Sequence, residues 1–281
     1  MLKAAQEVVF PDDAGGPFVN FGTKSTIMSI ENQTAPVLPG QRTNALIAYW
    51  NLRQLIGILG LSMPFVLPIG SGIFRGSWRI EPSISHYYYS IMHMLFMAIL
   101  CMLGSFLITY RGTSRHARWE KIVSVSSGLF ALGVAAFPTD FCGFEDAGHN
   151  QFISLVLRGG GAIVPKWMDV LHHVFAASLF TLFSVYCLVF FQDSDLYGTD
   201  DHEKKKRRNL IYTICGLLII ASMLAIVLAA WVFKSWQFED YVYVFETTAL
   251  VPFGFSWLLK GSVNWPHSRF GFLRKAIRPL R

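Results

Sequence analysis

The sequence predicts an all-α protein, a polytopic bundle of six transmembrane helices with both termini in the cytoplasm. Hydrophobic residues make up 53% of the 281 residues and charged residues only 15%, whereas about a quarter of the residues in a soluble domain are charged. Six apolar stretches are long enough to cross a hydrocarbon core of about 30 Å, which takes roughly 20 helical residues. The segments between these stretches are alternately rich and poor in Lys and Arg, as the loops of membrane proteins are.

The distribution of Lys and Arg sets the orientation of the bundle. The N-terminal tail, the second–third loop, the fourth–fifth loop and the C-terminal segment from Lys260 onward hold 3, 4, 5 and 6 of these residues, and the other three loops hold 2, 2 and 1. Because cytoplasmic segments are enriched in Lys and Arg, the first group is predicted to lie inside. The net charge of +6 therefore reflects topology, and no nucleic-acid partner is expected.

Three regions follow from this pattern. Residues 1–42 contain scattered Gly, Pro, Asn and Asp and are expected to form a cytoplasmic tail. Residues 43–261 hold the six spans, and residues 262–281 form a basic cytoplasmic tail suited to anionic lipid.

The first span is predicted over residues 53–73. Gly57 and Gly60 leave room in it for a neighbouring helix, and two prolines further along are expected to bend it. Arg53 stands at its start, where the long side chain is expected to reach the membrane interface.

The second and third spans are predicted over residues 86–110 and 122–138. The third carries small residues at three- and four-residue steps, which let two helices approach closely; they are Ser124, Gly128, Ala131 and Ala135. A loop of about thirty residues follows. Its segment 153–165 resembles a small β-hairpin, although a re-entrant or surface segment fits nearly as well.

The last three spans are predicted over residues 169–191, 210–233 and 241–259. The sixth contains Glu246 more than one turn inside, where an ionised carboxylate is costly unless it is paired. It is also interrupted at residues 252–254, because proline lacks a backbone donor and glycine is flexible.

Titratable side chains from non-adjacent spans meet on the outer side in this topology. They are His86, Asp140, Asp169, His172, His173 and Glu246. Asp169 lies three and four residues before the two histidines of the fourth span, so its carboxylate can reach either imidazole on a helix. These side chains are predicted to form one outward-facing pocket that binds a cation or exchanges protons. The alternative is that they sit separately in the headgroup region.

The favoured function is a channel or transporter for an ion or proton, since polar groups inside spans line such routes. Pro252 and Gly254 would then form the gate, and a homo-oligomer embedded in membrane lipids is expected. No resident cofactor is required. A non-catalytic assembly subunit is a further alternative, in which the basic C-terminal tail contacts lipid or another protein.

Several segments resemble an uncharacterised family of bacterial multi-pass membrane proteins that carry a domain of unknown function. These segments include SISHYYYSIMH, GSFLITYRG, GLFALGVAAFPTD, HHVFAASLFTLF and FETTALVPFGFSWLLKG. The resemblance covers about residues 53–261 and implies the fold and a bacterial inner or plasma membrane. The family is expected to have a small residue in place of His86 and a basic residue in place of His93, so this chain departs from the pattern there.

A looser likeness links the chain to the membrane hydrolases that include alkaline ceramidases. That likeness implies a zinc site made by His86, Asp140 and His172, with Ser83 or Ser85 beside it, and hydrolysis of a lipid amide or ester. The paired histidines expected on the last span are absent from this sequence, where Glu246 stands instead.

Overall fold

The computed structural model describes residues 39–76, 78–112, 116–140, 164–193, 202–231 and 240–263. All regular structure in these ranges is helical, without a strand. The hairpin expected over 153–165 and both predicted tails fall almost entirely outside the described residues.

Six α-helices occupy the six apolar stretches in order, and a short 3-10 helix, Ser85–Tyr89, precedes the second of them. The α-helices are α1 (Pro39–Arg75), α2 (His93–Thr109), α3 (Ala117–Ala136), α4 (Lys166–Asp193), α5 (His202–Trp231) and α6 (Tyr241–Val263). Within α4, residues Tyr186–Phe190 form one π-helical turn. Among the described helices, α1, α4, α5 and α6 are long and apolar enough to cross a membrane. Four candidate spans are thus present, and the six-span topology with its orientation stays a prediction.

The second apolar stretch starts its α-helix later than the sequence predicted. Its polar head, from Ser85, forms the 3-10 helix, and Ser90 then adopts an extended backbone with ψ of 173°. The Ser90 hydroxyl donates to the Tyr87 carbonyl at 2.9 Å and accepts the Met92 backbone N–H at 3.0 Å. Because serine satisfies neighbouring backbone groups in this way, it interrupts the helix, and α2 begins only at His93.

The helices are arranged as a closed ring. Each of α1 to α5 packs against the next helix in the chain, and α6 returns to pack against α1. Consecutive neighbours run antiparallel, so the start of α2, the end of α3 and the starts of α4 and α6 lie at the same end of the bundle. The ring interior is apolar, and Phe183 of α4 stacks on Phe253 of α6 with ring centroids 3.5 Å apart.

Glycines form the contact between α1 and α6. A Cβ atom added to Gly57 would lie 2.8 Å from the Gly254 carbonyl oxygen, and one added to Gly254 would lie 2.5 Å from the Leu61 backbone nitrogen. A Cβ atom on Gly60 would lie 2.7 Å from the Phe253 ring. The prediction that Gly57 and Gly60 make room for a neighbouring helix is confirmed.

A second close approach joins α2 and α3. A Cβ atom on Gly128 would lie 2.5 Å from the Gly104 carbonyl oxygen, and Ser124, Ala131 and Ala135 are buried beside it. This surface is the small-residue ridge that the sequence predicted, and its role in packing is confirmed.

Replacing Gly254 with valine should destabilise the bundle, because the added methyl groups have no space against Leu61 and Gly57. Overpacking of this kind costs about 1–3 kcal/mol, which corresponds to a fall in Tm of roughly 2 °C or more for a protein of this size. Thermal unfolding of the detergent-solubilised protein, followed by tryptophan fluorescence, measures the change. Ala221→Val on the exposed surface of α5 is the control; equal Tm values for the two variants would contradict the tight contact.

Candidate functional site

A polar site lies at the end of the ring where α2, α4 and α6 begin. We call it the His172 site and define it as the side chains of Ser85, His172 and Glu246 with the backbone carbonyl of Phe137. It joins three α-helices to the segment that precedes α2, and most of its partners are distant in sequence.

His172 is the most buried titratable group of this site, with 3% of its surface exposed. Its Nδ1 atom lies 2.6 Å from the Phe137 carbonyl oxygen, and its Nε2 atom lies 2.9 Å from the Ser85 hydroxyl. Because a carbonyl can only accept a hydrogen bond, Nδ1 carries the proton. In the neutral imidazole, the Nε2 lone pair is then left to accept the hydroxyl proton of Ser85.

The sequence explains why the Phe137 carbonyl is available. Phe137 precedes Pro138, and a residue before proline is disfavoured in the helical region. Helix α3 accordingly ends at Ala136, and Phe137 is extended, with φ −107° and ψ 112°. Its carbonyl is consequently free to accept from His172.

Glu246 lies on α6, one turn beyond the start of the helix. Its Oε2 atom accepts the backbone N–H of Ile84 at 2.6 Å. Ile84 is the residue before the 3-10 helix, where backbone N–H groups have no partner within the helix. Two adjacent residues, Ile84 and Ser85, thereby hold the carboxyl of α6 and the imidazole of α4 close to one another.

A cavity of about 40 Å³ lies beside Ser85 and Glu246. Apart from these two, its lining side chains are apolar, and those on helices come from α1, α2, α3, α4 and α6; they include Met63, Phe96, Leu100, Leu103, Val134, Leu179, Phe180 and Leu250. A water molecule needs roughly 10–15 Å³ measured in this way, so the cavity has room for two or three.

Among the described residues, the carboxylate of Asp169 contacts the imidazole of His173 and not that of His172. Its Oδ1 atom accepts the Asp140 backbone N–H at 2.7 Å and the Thr139 hydroxyl at 3.2 Å, and it lies 3.3 Å from His173 Nδ1. His173 is exposed, with 66% of its side chain accessible. Of the two pairings that the sequence left open, the carboxylate approaches His173, four residues along, and His173 Nδ1 also lies 2.8 Å from the Asp169 backbone carbonyl oxygen.

His86 is positioned by Ser83, whose hydroxyl oxygen lies 2.5 Å from His86 Nδ1. His86 Nε2 is buried without a hydrogen-bond partner among the described residues. Burial lowers the pKa of His86 to about 4, and the nearby His172 and His173 act in the same direction. The carboxylates of Asp169 and Asp140 oppose this shift.

The three predicted metal ligands His86, Asp140 and His172 have different partners here. Both ring nitrogens of His172 are engaged by other groups, and Asp140 is exposed. Within the described ranges, no three His, Cys, Asp or Glu side chains are grouped closely enough to hold a metal ion.

The predicted gate residues Pro252 and Gly254 are buried in α6, where Gly254 forms the contact with α1.

Sequence reasoning missed a polar network at the opposite end of the ring. Arg53 is 1% exposed, and its Nη2 and Nε atoms donate to the Tyr110 hydroxyl at 2.7 and 3.2 Å. That hydroxyl donates to Glu120 Oε1 at 3.0 Å. The expectation that Arg53 reaches the interface was wrong, because α2 and α3 supply partners inside the bundle. An acidic residue between Arg118 and Lys121 was the available signal.

A match to a protein family covers most of the helix ring. A family model described as "Protein of unknown function (DUF998)" matches residues 85–259, which is more than half of the chain. The matched range includes Ser85, His172 and Glu246. No curated protein and no solved structure matches the chain.

The contribution of His86 to the free energy of unfolding should fall as pH drops from about 6.5 to about 4, because the unfolded chain protonates His86 there and the folded chain does not. His86→Gln should remove this contribution, so its Tm should fall less between pH 7.0 and pH 4.5 than the wild-type Tm does, by about 2 °C or more. Thermal unfolding at pH 4.5 and 7.0 measures both. His116→Gln, at an exposed histidine, is the control. An unchanged pH dependence in His86→Gln would contradict the burial of this imidazole.

Proposed function

The chain belongs to the DUF998 family of proteins of unknown function, and from this premise and the site geometry we propose that it moves a proton or a small cation across a membrane through the His172 site. Four of its helices are long and apolar enough to cross a membrane, so it is a membrane protein. The proposed location is a bacterial inner or plasma membrane.

The position of Glu246 carries the proposal. The side chain stands inside a candidate membrane span and lines the cavity, with the Ile84 N–H as its hydrogen-bond donor. An ionised carboxylate is expensive within a membrane unless a positive charge compensates it. A bound proton or small cation supplies that charge, and a cavity with room for water lets it exchange.

A line of polar groups leads from the surface to Glu246. His173 is exposed and contacts Asp169, and the His173 ring lies 5.6 Å from the His172 ring, centroid to centroid. His172 is hydrogen-bonded to Ser85, and Ser85 lines the same cavity as Glu246. Since imidazole and hydroxyl groups each accept and donate protons, this order of groups supports passage of a proton from the surface to the cavity.

The remainder of the route would need a movement of α6. Below the cavity, Phe183 and Phe253 stack and fill the ring interior. Pro252 precedes Phe253 and lacks a backbone N–H, which weakens the helix at this point. We assign the gate to Pro252 and Gly254, whose rearrangement would separate the two rings. A homo-oligomer is the proposed assembly.

Glu246→Gln should reduce flux to the level of protein-free liposomes, because glutamine neither ionises nor releases a proton. The purified protein is reconstituted with a pH-sensitive dye inside, and a potassium gradient with valinomycin drives entry of protons. Vesicles without valinomycin are tested with sodium and potassium gradients. Glu203→Gln replaces an exposed glutamate and serves as the matched control with wild-type flux.

Flux in Glu246→Gln equal to that of wild type would contradict the proposal. So would a wild-type protein that conducts neither protons nor either cation while remaining folded. Size-exclusion chromatography and Tm of each variant establish folding independently of flux.

A further inference from the structure

We propose that Ser85 is a nucleophile which accepts an acyl group from a lipid-like carboxylic ester, with His172 as its general base. This activity goes beyond the transport proposed above and requires no metal ion. The substrate class is an ester whose acyl part is an apolar chain.

The hydrogen bonds of His172 orient its imidazole as a base toward Ser85. His172 Nδ1 donates to the Phe137 carbonyl oxygen at 2.6 Å, so Nε2 of the neutral imidazole can only accept, and the Ser85 hydroxyl lies 2.9 Å from it. A serine is activated when a base within hydrogen-bond reach takes its proton and a third group orients that base. The backbone carbonyl of Phe137 is the third group here.

The neighbouring Ser83–His86 pair provides a comparison within the same protein. It too places a serine hydroxyl within hydrogen-bond distance of an imidazole, at 2.5 Å. The far nitrogen of His86, however, has no described partner to fix its tautomer, and Ser83 does not line the cavity. Only the Ser85 pair combines an oriented base with space for a substrate.

The cavity beside Ser85 fits the beginning of an acyl chain. Phe96, Leu100, Leu179 and Phe180 line it, and Leu103 and Leu250 extend the apolar surface further into the ring. Ser85 itself lies before α2, at the end of the bundle. Lipids have the same order, since their ester groups lie at the membrane boundary and their chains point to its centre.

The proposed reaction is hydrolysis of the ester in two steps, with water as the second reactant. Ser85 Oγ attacks the ester carbonyl carbon as its proton passes to His172 Nε2. The bond from carbon to the leaving alcohol oxygen then breaks, and the imidazolium returns the proton to that oxygen. Water, deprotonated by His172, cleaves the acyl-serine ester, which releases a carboxylic acid and restores the Ser85 hydroxyl.

A dodecyl fluorophosphonate tests the proposal on the full-length protein in membranes and in detergent. The probe should form one covalent adduct, located on Ser85 by peptide mass spectrometry. His172→Gln should slow the labelling by about 100-fold or more, the usual contribution of a general base. Ser83→Ala, as the matched control, should label at the wild-type rate. A methyl fluorophosphonate, which lacks the chain, should react more slowly than the dodecyl probe.

Absence of an adduct on Ser85 in the folded wild-type protein would overturn the inference. Labelling of His172→Gln at the wild-type rate would do the same, and so would equal rates for the two probes. Ser85→Ala should give no adduct. If that variant does not fold, the residue labelled in the wild-type protein still tests whether Ser85 is the nucleophile. Proton and cation flux are measured separately, so this inference and the transport proposal can fail independently.

Discussion

Polar side chains inside a membrane bundle must find their partners within the protein, because lipid tails offer none. This constraint shapes both ends of the ring. At one end His172 bonds to Ser85 and to the Phe137 carbonyl, and at the other Arg53 bonds to Tyr110. Each set of bonds joins segments that are far apart in the chain, so the polar groups fix how the apolar helices are assembled.

The segment Ile84–Ser85 is the point on which the His172 site depends. Its first residue donates to Glu246 of α6, and its second is hydrogen-bonded to His172 of α4. A carboxyl and an imidazole from two helices are thereby brought to one small cavity. The same geometry supports proton exchange at Glu246 and nucleophilic chemistry at Ser85, since both need a polar group beside a cavity.

Close helix contacts hold together the helices that carry this site. Glycines at 57 and 254 hold α1 against α6, and glycines at 104 and 128 hold α2 against α3. One side of each contact, Gly57 and Gly128, was predicted from the sequence, because small residues at helical spacing favour close packing of membrane helices. The partners Gly254 and Gly104 were not predicted as contacts. The six helices were predictable for a similar reason: long apolar stretches between charged loops have few alternative structures.

The pairing of polar groups could not be predicted in the same way. Spacing alone allowed Asp169 to reach either histidine, and the choice of His173 follows from the Phe137 carbonyl, which Pro138 frees and which engages His172. Arg53 could extend toward the interface by its length, but Tyr110 from a later helix receives it instead. Such partners are decided by the closure of the ring, which local sequence does not encode.

The protonation pattern of His172 tests the central claim most directly. Nitrogen-15 NMR of the histidine-labelled protein in micelles, with the His172 signals identified by their loss in His172→Gln, reports which ring nitrogen carries the proton. The account predicts a single neutral tautomer, protonated at Nδ1 and unprotonated at Nε2. A proton on Nε2, or an average of both tautomers, would contradict it, because His172 would then be bound neither to the Phe137 carbonyl nor to Ser85 as described.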